Sequence, residues 1–333
     1  MNYKSIVKDQ QLRFRILRLL QWVPDSVMLR VQYRMKLGFW PNFKSPTRFT
    51  EKLQLYKMKY HNPVMHQCVD KYEVRKFVES KGLGNILNEL YGVYDKPEEI
   101  DFDTLPDKFV MKTTTGGGGQ NVIVITDKSS CNLDELRSKL TLWEGDNNLG
   151  ALAGREWAYE DCKPRIIIEK YLDNNAGKLT DYKLFCFNGE PKFLYVVPDR
   201  KPGEYAYLGV YDMEFNELPV YRCDERKPHQ VEPKPQNYEE MVEIARKLSA
   251  DFPHVRVDLY NIDGRIYFGE LTFYDGSGYF HYDPDSFDLE VGSYFDVTKL
   301  TGGGYFVRLR IDVYCLRNSN TPAAAFTGRR LAA

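Results

Sequence analysis

The N-terminal part of the chain carries apolar residues at helical spacing. Residues 5–23 place five apolar side chains on one face of a helix and three arginines largely elsewhere on its surface, until Pro24 ends the pattern. The apolar residues are Leu12, Ile16, Leu19, Leu20 and Val23, and the arginines are Arg13, Arg15 and Arg18. This pattern predicts a basic amphipathic helix, which either packs on the neighbouring domain or lies on a membrane surface. Further short helices are predicted at residues 50–56 and 70–81.

From Leu90 onward the pattern changes to short apolar runs that are typical of strands. The runs cover residues 109–111, 122–125 and 165–172, and the first two flank a run of four glycines. Beyond them, an amphipathic helix is predicted at residues 238–250. The tail from about residue 299 is rich in Gly, Ala and Arg, and we expect it to be an atypical segment outside the fold, for which a non-native origin is one explanation.

Two hairpins are predicted in the second half of the chain. One covers residues 185–197 and turns at Asn188-Gly189, and the other covers residues 255–271 and turns at Asp263-Gly264. Asn-Gly and Asp-Gly favour the tight turns that join antiparallel strands. Helices and antiparallel strands therefore alternate, which indicates an α+β fold.

Composition and charge exclude several classes of protein. The 333 residues are enough for a large core, and 46 basic against 47 acidic side chains leave a net charge of −1, so we expect no nucleic-acid partner. The charge is uneven, because residues 1–40 carry eight basic and two acidic side chains. The six cysteines are spread singly without a C-x-x-C pair, which favours reduced thiols in the cytoplasm over a zinc site or a disulfide framework.

The glycine run is a candidate phosphate-binding loop. It covers residues 116–119 and follows Lys112, so bare backbone N–H groups and one ammonium group could meet the same anion. The pattern fits neither the Walker nor the dinucleotide-binding spacing. The alternative is a flexible hairpin tip.

Asp258 and Glu270 form a candidate metal site. They lie near opposite positions of the second predicted hairpin, where two carboxylates repel each other unless a cation lies between them. Oxygen ligands alone favour Mg²⁺ over zinc. The alternative is a pair of solvated carboxylates at a sheet edge.

Several motifs in this order resemble the ATP-grasp superfamily, and in particular its TupA-like branch, which is associated with teichuronopeptide and capsular polysaccharide biosynthesis. The resemblance covers about residues 30–298. Its carriers are FTEKLQ at 49–54, VDKY at 69–72, KPRIIIE at 163–169, DYKLFCFNG at 181–189, VRVDLY at 255–260 and FGELTF at 268–273.

The resemblance implies a fold in which two α+β subdomains clamp ATP, preceded by a helical region. The expected bounds are 1–88 for the helical region, 89–180 for the subdomain with the glycine loop, 181–298 for the subdomain with the metal site and 299–333 for the tail.

The resemblance also implies roles for individual residues. The phosphates of ATP would meet Lys71, Lys112, Gly116, Gly117 and Gly118. The adenine would lie against Glu169, Lys170, Tyr171 and Leu172. Mg²⁺ would bind Asp258, Glu270 and Thr272, where Thr272 stands in place of the Asn that many ATP-grasp enzymes have. Arg256 and Lys183 would be catalytic, with Arg256 near the transferred phosphoryl group.

The activity implied by the resemblance is ligation of a carboxylate to an amine through an acyl phosphate. The carboxylate would be a small molecule or part of a glycan, the cofactors would be ATP and Mg²⁺, and residues 5–23 could contact the inner face of the membrane. Two alternatives stay open at this point: a nucleotide-sugar glycosyltransferase of a capsular polysaccharide pathway, and a non-catalytic ATP-binding partner of an assembly complex.

Overall fold

The computed structural model of the chain describes residues 12, 16–17, 19–116, 121–144, 149–160, 162–172, 179–198 and 206–300. All of these belong to one unit, Met1–Gly303. Most of the predicted helix at residues 5–23 lies outside the described residues. The predicted tail also lies outside them, except for residues 299 and 300.

Eight α-helices lie in the described residues. They are α1 (Asp25–Leu37), α2 (Phe49–Lys59), α3 (Val64–Val69), α4 (Val74–Ser80), α5 (Leu133–Glu144), α6 (Leu149–Ala153), α7 (Tyr238–Ser249) and α8 (Ser286–Tyr294). Short 3-10 turns cover Gly84–Ile86, Pro97–Glu99, Phe102–Thr104, Lys128–Ser130, Trp157–Tyr159, Asp275–Gly278 and Val297–Lys299.

The helices predicted at 50–56 and 238–250 correspond to α2 and α7. The helix predicted at 70–81 begins only at Val74, because the Asp70 carboxylate accepts the backbone N–H groups of Tyr72 at 2.8 Å and Glu73 at 2.9 Å in the turn before it.

Four antiparallel strands form the first sheet. They are β1 (Leu90–Tyr94), β2 (Phe109–Thr113), β3 (Val122–Ile125) and β4 (Ile166–Lys170), in the order β1-β4-β2-β3. Strands β2 and β3 are the predicted runs on either side of the glycines, and they pair up to Lys112 opposite Val122. The apolar faces of this sheet and of α5 form a separate core. Gly116, the described glycine of the run, therefore follows the paired end of β2.

The second sheet contains five antiparallel strands in the order β10-β9-β5-β6-β7. They are β5 (Asp181–Phe187), β6 (Glu190–Val197), β7 (Gly209–Tyr211), β9 (His254–Ile262) and β10 (Arg265–Thr272). The remaining strands, β8 (Tyr221–Arg222) and β11 (Tyr282–Asp283), pair with each other.

Both predicted hairpins are present, with their turns where the sequence places them. Asn188 and Gly189 have φ values of 51° and 82°, and Asp263 and Gly264 have 50° and 82°. Two successive positive φ values match the twist of antiparallel strands, and Asn, Asp and Gly adopt them at the lowest cost. The second hairpin pairs Glu270 directly opposite Asp258.

Phe49, the first residue of α2, connects the helical region to the second sheet. Its ring is fully buried and lies against Phe185, Phe187 and His254, with centroid separations of 6.2, 5.8 and 5.1 Å. Aromatic pairs at these separations add to the stability that area burial provides. The N-terminus of α2 is thereby fixed on the sheet that carries the candidate metal site.

Helix α8 packs closely on the start of α2. The Asp288 carboxylate accepts hydrogen bonds from the backbone N–H of Thr50 at 3.0 Å and from its hydroxyl at 2.8 Å. Lys52 donates to the carbonyl oxygens of Gly292 and Phe295 at the end of α8, both at 2.8 Å. The two helices therefore satisfy each other's terminal backbone groups.

Lys57 of α2 anchors the loop that follows β10. The side chain is 2% exposed, and its ammonium group donates to the carbonyl and hydroxyl oxygens of Ser277 at 2.7 and 2.8 Å and to the carbonyl of Gly154 at 3.1 Å. Burial lowers the pKa of Lys57 to about 7, although the nearby Glu156 carboxylate opposes this shift.

Within the part of the chain that the structure describes, no helix is both long enough and apolar enough to cross a membrane.

We expect Gly292→Ala to lower the free energy of unfolding by about 3 kcal/mol, since overpacking against rigid neighbours costs roughly this much. A Cβ at this position would overlap the carbonyl oxygen of Thr47 and press on the backbone of Arg48 and Phe49, and backbone atoms cannot turn aside. Urea unfolding measures the loss. Ser293→Ala, an exposed change on the same helix, is the control, and equal stability of the two variants would contradict the packing described.

We also expect the unfolding free energy to rise by about 2 kcal/mol between pH 7 and pH 9 relative to Lys57→Met. The pKa of Lys57 is about 7 in the folded state and 10.5 ordinarily, so above pH 7 the unfolded chain binds more protons than the folded chain does. Raising the pH then favours the folded state. Urea unfolding at each pH checks this, and parallel curves for the two proteins would show that Lys57 keeps its ordinary pKa.

Candidate functional site

Arg256 occupies the centre of a buried charge network on the second sheet. Its Nε and Nη2 atoms donate to the two carboxylate oxygens of Asp258, both at 2.7 Å, and its Nη1 donates to Asp275. Nη2 also lies 3.3 Å from Oε1 of Glu270 and 3.0 Å from the hydroxyl of Thr272. One guanidinium thus lies between the two carboxylates that face each other across the β9–β10 hairpin.

Lys183 of β5 reaches the same carboxylate from the neighbouring strand. Position 183 pairs with Asp258, and its ammonium lies 2.5 Å from an oxygen of Asp258 and 2.5 Å from Asp181. Asp258 is 1% exposed, and burial raises the pKa of its carboxyl even though Arg256 and Lys183 act in the opposite direction. Lys183 and Arg256, the two predicted catalytic residues, therefore both contact Asp258.

Asp275 extends the network beyond the hairpin. It lies on the loop that Lys57 anchors, and Arg222 of β8 donates to it at 2.8 Å. Burial raises the pKa of the Asp275 carboxyl, but Arg222 and Arg256 outweigh burial and hold that pKa below its usual value. The position of Arg256 is consequently fixed from two sides, by its own strand and by the anchored loop.

A second group of charges surrounds Lys71, in the turn between α3 and α4. The Lys71 ammonium donates to the carbonyl oxygen of Gly116 at 2.6 Å, and its backbone N–H donates to the carbonyl of Thr114 at 2.7 Å. Burial lowers the pKa of Lys71, and the Glu270 carboxylate is the strongest of the charges that oppose this shift. Lys71 therefore connects the start of the glycine run with the exposed end of the charge network.

Lys112 and Glu169 lie on adjacent strands of the first sheet. Their side chains form an ion pair of 2.6 Å, and Arg75 of α4 approaches Glu169 at 3.4 Å. The side chain of Lys112 is 26% exposed, whereas Glu169 is buried. The positive charge of Lys112 lowers the pKa of Lys71, and Lys71 in turn contacts Gly116. Two cations therefore act on each other close to the first glycine of the run.

The predicted adenine-binding segment starts at the end of β4. Both backbone groups of Lys170 are bonded within the protein, the N–H to the carbonyl of Glu89 at 3.0 Å and the carbonyl to the side chain of Asn88 at 2.8 Å. Tyr171 and Leu172 follow the strand and are half-buried. Gly117 and Gly118 lie outside the described residues.

The charge network fits an additional divalent cation. Linked by ion pairs, its described members are the five carboxylates of Asp181, Asp224, Asp258, Glu270 and Asp275 and the three cationic side chains of Lys183, Arg222 and Arg256. Among these described members the carboxylates outnumber the cations by two. Oδ1 of Asp181 is buried without a hydrogen-bond partner among the described residues, which also indicates room for a cation.

The described residues do not hold a preformed metal centre, however. No cluster of three or more His, Cys, Asp or Glu side chains with metal-binding geometry occurs among them. Both oxygens of Asp258 accept from Arg256, so Asp258 would share its charge between the guanidinium and a metal ion.

Sequence reasoning did not identify Asp275, Arg222 or Lys57 as parts of the site. Asp275-Gly276 is a turn signal three residues after Thr272, and this was the one available clue to Asp275. Arg222 and Lys57 are far from the hairpin in sequence and carry no local motif.

A search of curated protein sequences finds no match. Among solved structures, D-alanine–D-alanine ligase from Bacillus anthracis is similar, with 21% identity, a TM-score of 0.39 and coverage of 62% of this chain and 57% of the ligase.

Two further solved structures are similarly distant. L-amino acid ligase from Bacillus licheniformis has 17% identity, a TM-score of 0.37 and coverage of 64% and 42%. N5-carboxyaminoimidazole synthetase from Staphylococcus aureus in complex with ADP has 13% identity, a TM-score of 0.40 and coverage of 66% and 50%. The chain thus spans between 42% and 57% of the length of these three proteins, and similarities this distant establish no activity.

The family comparison is much stronger. The sequence model of the family described as TupA-like ATPgrasp matches residues 51–296, which is most of the chain and includes both sheets. This match confirms the resemblance drawn from the sequence motifs and the α+β ATP-grasp fold that it implies. The chain belongs to the TupA-like ATP-grasp family.

Proposed function

We propose that this protein is a Mg-ATP-dependent carboxylate–amine ligase. The observation that carries the proposal is the position of Lys71, which bonds the first glycine of the run, lies near Lys112 and faces Glu270 of the charge network. A polyanion such as the ATP triphosphate would satisfy the cations on one side, and a divalent cation would satisfy the carboxylates on the other.

The roles of the binding residues follow from this arrangement. Lys71 and Lys112 would neutralise phosphate oxygens, because each ammonium is only partly buried and now pairs with a protein oxygen that a phosphate could replace. Gly116 and the following glycines would let the backbone approach the phosphates. Glu169 and the segment after it would face the adenine, with Tyr171 and Leu172 as its backbone and apolar contacts.

The charge network would serve the transferred phosphoryl group. Asp258 and Glu270 would hold Mg²⁺ with help from the Thr272 hydroxyl, and bound Mg²⁺ would supply neutralisation of the charge that develops on phosphate oxygens. Arg256 would meet the γ-phosphate. Lys183 would act as a positioning residue, since it holds Asp258.

The proposed reaction has two steps. An oxygen of the substrate carboxylate attacks the γ-phosphorus, the bond to the bridging oxygen of ADP breaks, and an acyl phosphate forms. The amine nitrogen then attacks the acyl carbon, the carbon–oxygen bond to phosphate breaks, and the nitrogen loses a proton to give an amide and inorganic phosphate. This chain's part is positioning and charge neutralisation.

We further propose a place in the biosynthesis of a surface polysaccharide, with a uronic acid or an amino acid as the carboxylate, on the basis of the family association. A cytoplasmic location suits an ATP-dependent step, and the described cysteines are free thiols. The subdomain bounds at residues 88, 180 and 298 stay a proposal, and the two sheets lie within 90–170 and 181–272.

No described feature favours the glycosyltransferase alternative. Two D-x-D tripeptides occur, at residues 101–103 and 283–285, and acidic pairs of this kind bind metal-diphosphates in other proteins. Here the Asp101 carboxylate accepts the backbone N–H of Asp103 at 3.0 Å, and Asp285 pairs with Arg48 at 2.7 Å. Release of UDP from a UDP-sugar without ATP would support this alternative, and ATP binding without turnover would support the non-catalytic one.

We expect Lys71→Ala and Lys112→Ala each to weaken ATP binding by roughly tenfold or more, since each removes a charge-assisted contact from a polyanionic site. Isothermal titration calorimetry measures the affinity. Lys139→Ala is the matched control, because Lys139 is an exposed lysine on α5 that pairs only with Glu135 of its own helix in the described structure. Unchanged affinity in both site variants, with the fold intact by circular dichroism, would contradict the nucleotide assignment.

We expect Asp258→Asn and Glu270→Gln each to reduce ATP turnover by roughly 100-fold or more, because both remove charge from the site of phosphoryl transfer. Incubation with Mg-ATP and a panel of uronic acids and amino acids, with hydroxylamine to trap the acyl phosphate, measures turnover.

Thr272→Asn is the informative companion to these variants. A carbonyl oxygen is the better Mg²⁺ ligand, so we expect this variant to lower the Mg²⁺ concentration required for half-maximal turnover. Full turnover by either carboxylate variant at saturating Mg-ATP would contradict both the metal-site assignment and the ligase mechanism.

A further inference from the structure

The outer face of α1 exposes an apolar stripe. Val27, Val31 and Met35 recur every four residues along the helix and are 49%, 41% and 45% exposed. The opposite face, with Met28, Leu29, Gln32, Tyr33 and Leu37, is buried. A helix needs only one apolar face to pack on its own protein, so the second face requires another explanation.

Two exposed tryptophans flank α1 in the chain. Trp22 precedes α1 and Trp40 follows it, and they are 78% and 63% exposed. Arg155 donates to the carbonyl of Gln21 at 3.1 Å and forms an ion pair of 3.0 Å with Asp25, which holds the segment around Trp22 against the body of the protein. The Trp22 indole is therefore presented to solvent from a fixed backbone.

Basic side chains accompany the stripe. Arg30 and Arg34 lie three residues after Val27 and Val31 and so flank them on the helix surface. The first 40 residues carry eight basic and two acidic side chains, whereas the whole chain has a net charge of −1. The positive charge is thus concentrated in the part of the chain that contains the apolar stripe.

We propose that the outer face of α1, defined as Trp22, Val27, Val31, Met35 and Trp40, docks on the surface of an anionic lipid bilayer. Aliphatic side chains between two tryptophans suit the boundary between headgroups and acyl chains, where indole rings are favoured. Arginines beside them attract anionic headgroups. The proposal is independent of the ligase activity.

The same charges disfavour a second copy of the chain as the occupant. A second copy that docks through this face would bring the two sets of arginines together, and like charges across an interface are unfavourable.

Sedimentation of the full chain with lipid vesicles tests the proposal. We expect binding to vesicles that contain phosphatidylglycerol, little binding to pure phosphatidylcholine, and a loss of binding at high salt. Val31→Glu should weaken binding by about tenfold or more, because a carboxylate must then enter the headgroup boundary beside anionic lipids. Val31→Leu should retain it.

Leu142→Glu provides the matched control. Leu142 is 78% exposed on α5, away from the N-terminal region in sequence, so its replacement should leave vesicle binding unchanged. Equal recovery with the two vesicle types, or equal loss in Leu142→Glu and Val31→Glu, would overturn the proposal. So would a dimer of the unmutated chain in sedimentation velocity that Val31→Glu converts to monomer, since the occupant would then be a second copy.

ATP turnover distinguishes this proposal from the ligase. Val31→Glu should keep the turnover of the unmutated protein in solution, because the substitution is exposed and lies outside the charge network. A failure of vesicle binding would leave the ligase proposal intact, and a failure of turnover in every protein would leave the docking result intact.

Discussion

The bidentate contact between Arg256 and Asp258 is the interaction on which the rest of the site depends. Both groups are almost completely buried, and an ion pair in such a place is tolerated only if further hydrogen bonds compensate for the lost hydration. Lys183 provides this compensation for the carboxylate, and Asp275 provides it for the guanidinium. These four side chains have to be assembled together, because each of them alone would be an unpaired buried charge.

Assembly of this network explains the arrangement of the surrounding elements. Asp275 can reach Arg256 only if the loop after β10 is held in place, and Lys57 of α2 holds it. Helix α2 is itself fixed to the sheet by Phe49 and to α8 by Asp288. The helical region that precedes the two sheets therefore supports the site, since its removal would release the loop that carries Asp275.

The molecule separates its charges by function. The described members of the network on the second sheet include more carboxylates than cations, whereas Lys71 contacts Gly116 and feels the charges of both Lys112 and Glu270. A triphosphate with its metal ion has the complementary distribution of charge.

The sequence by itself determined the local elements and one important juxtaposition. Alternating apolar residues and the Asn-Gly and Asp-Gly turns define both hairpins, because strand periodicity and turn geometry depend on neighbours in the chain. The turn at Asp263-Gly264 also brings Glu270 within one position of Asp258, and a bulge between Phe268 and Glu270 then puts the two carboxylates directly opposite each other. The motifs were sufficient for the family as well.

Only the tertiary structure decided which side-chain cation lies between the carboxylates of Asp258 and Glu270. It is Arg256. Its partner Asp275, and Arg222, which also pairs with Asp275, come from segments that no periodicity connects with the hairpin. The pairing of buried charges depends on how distant segments pack, and on which ions lose water together. Local patterns contain no information about this choice, which is why Lys57 and Asp275 became visible only once the chain was folded.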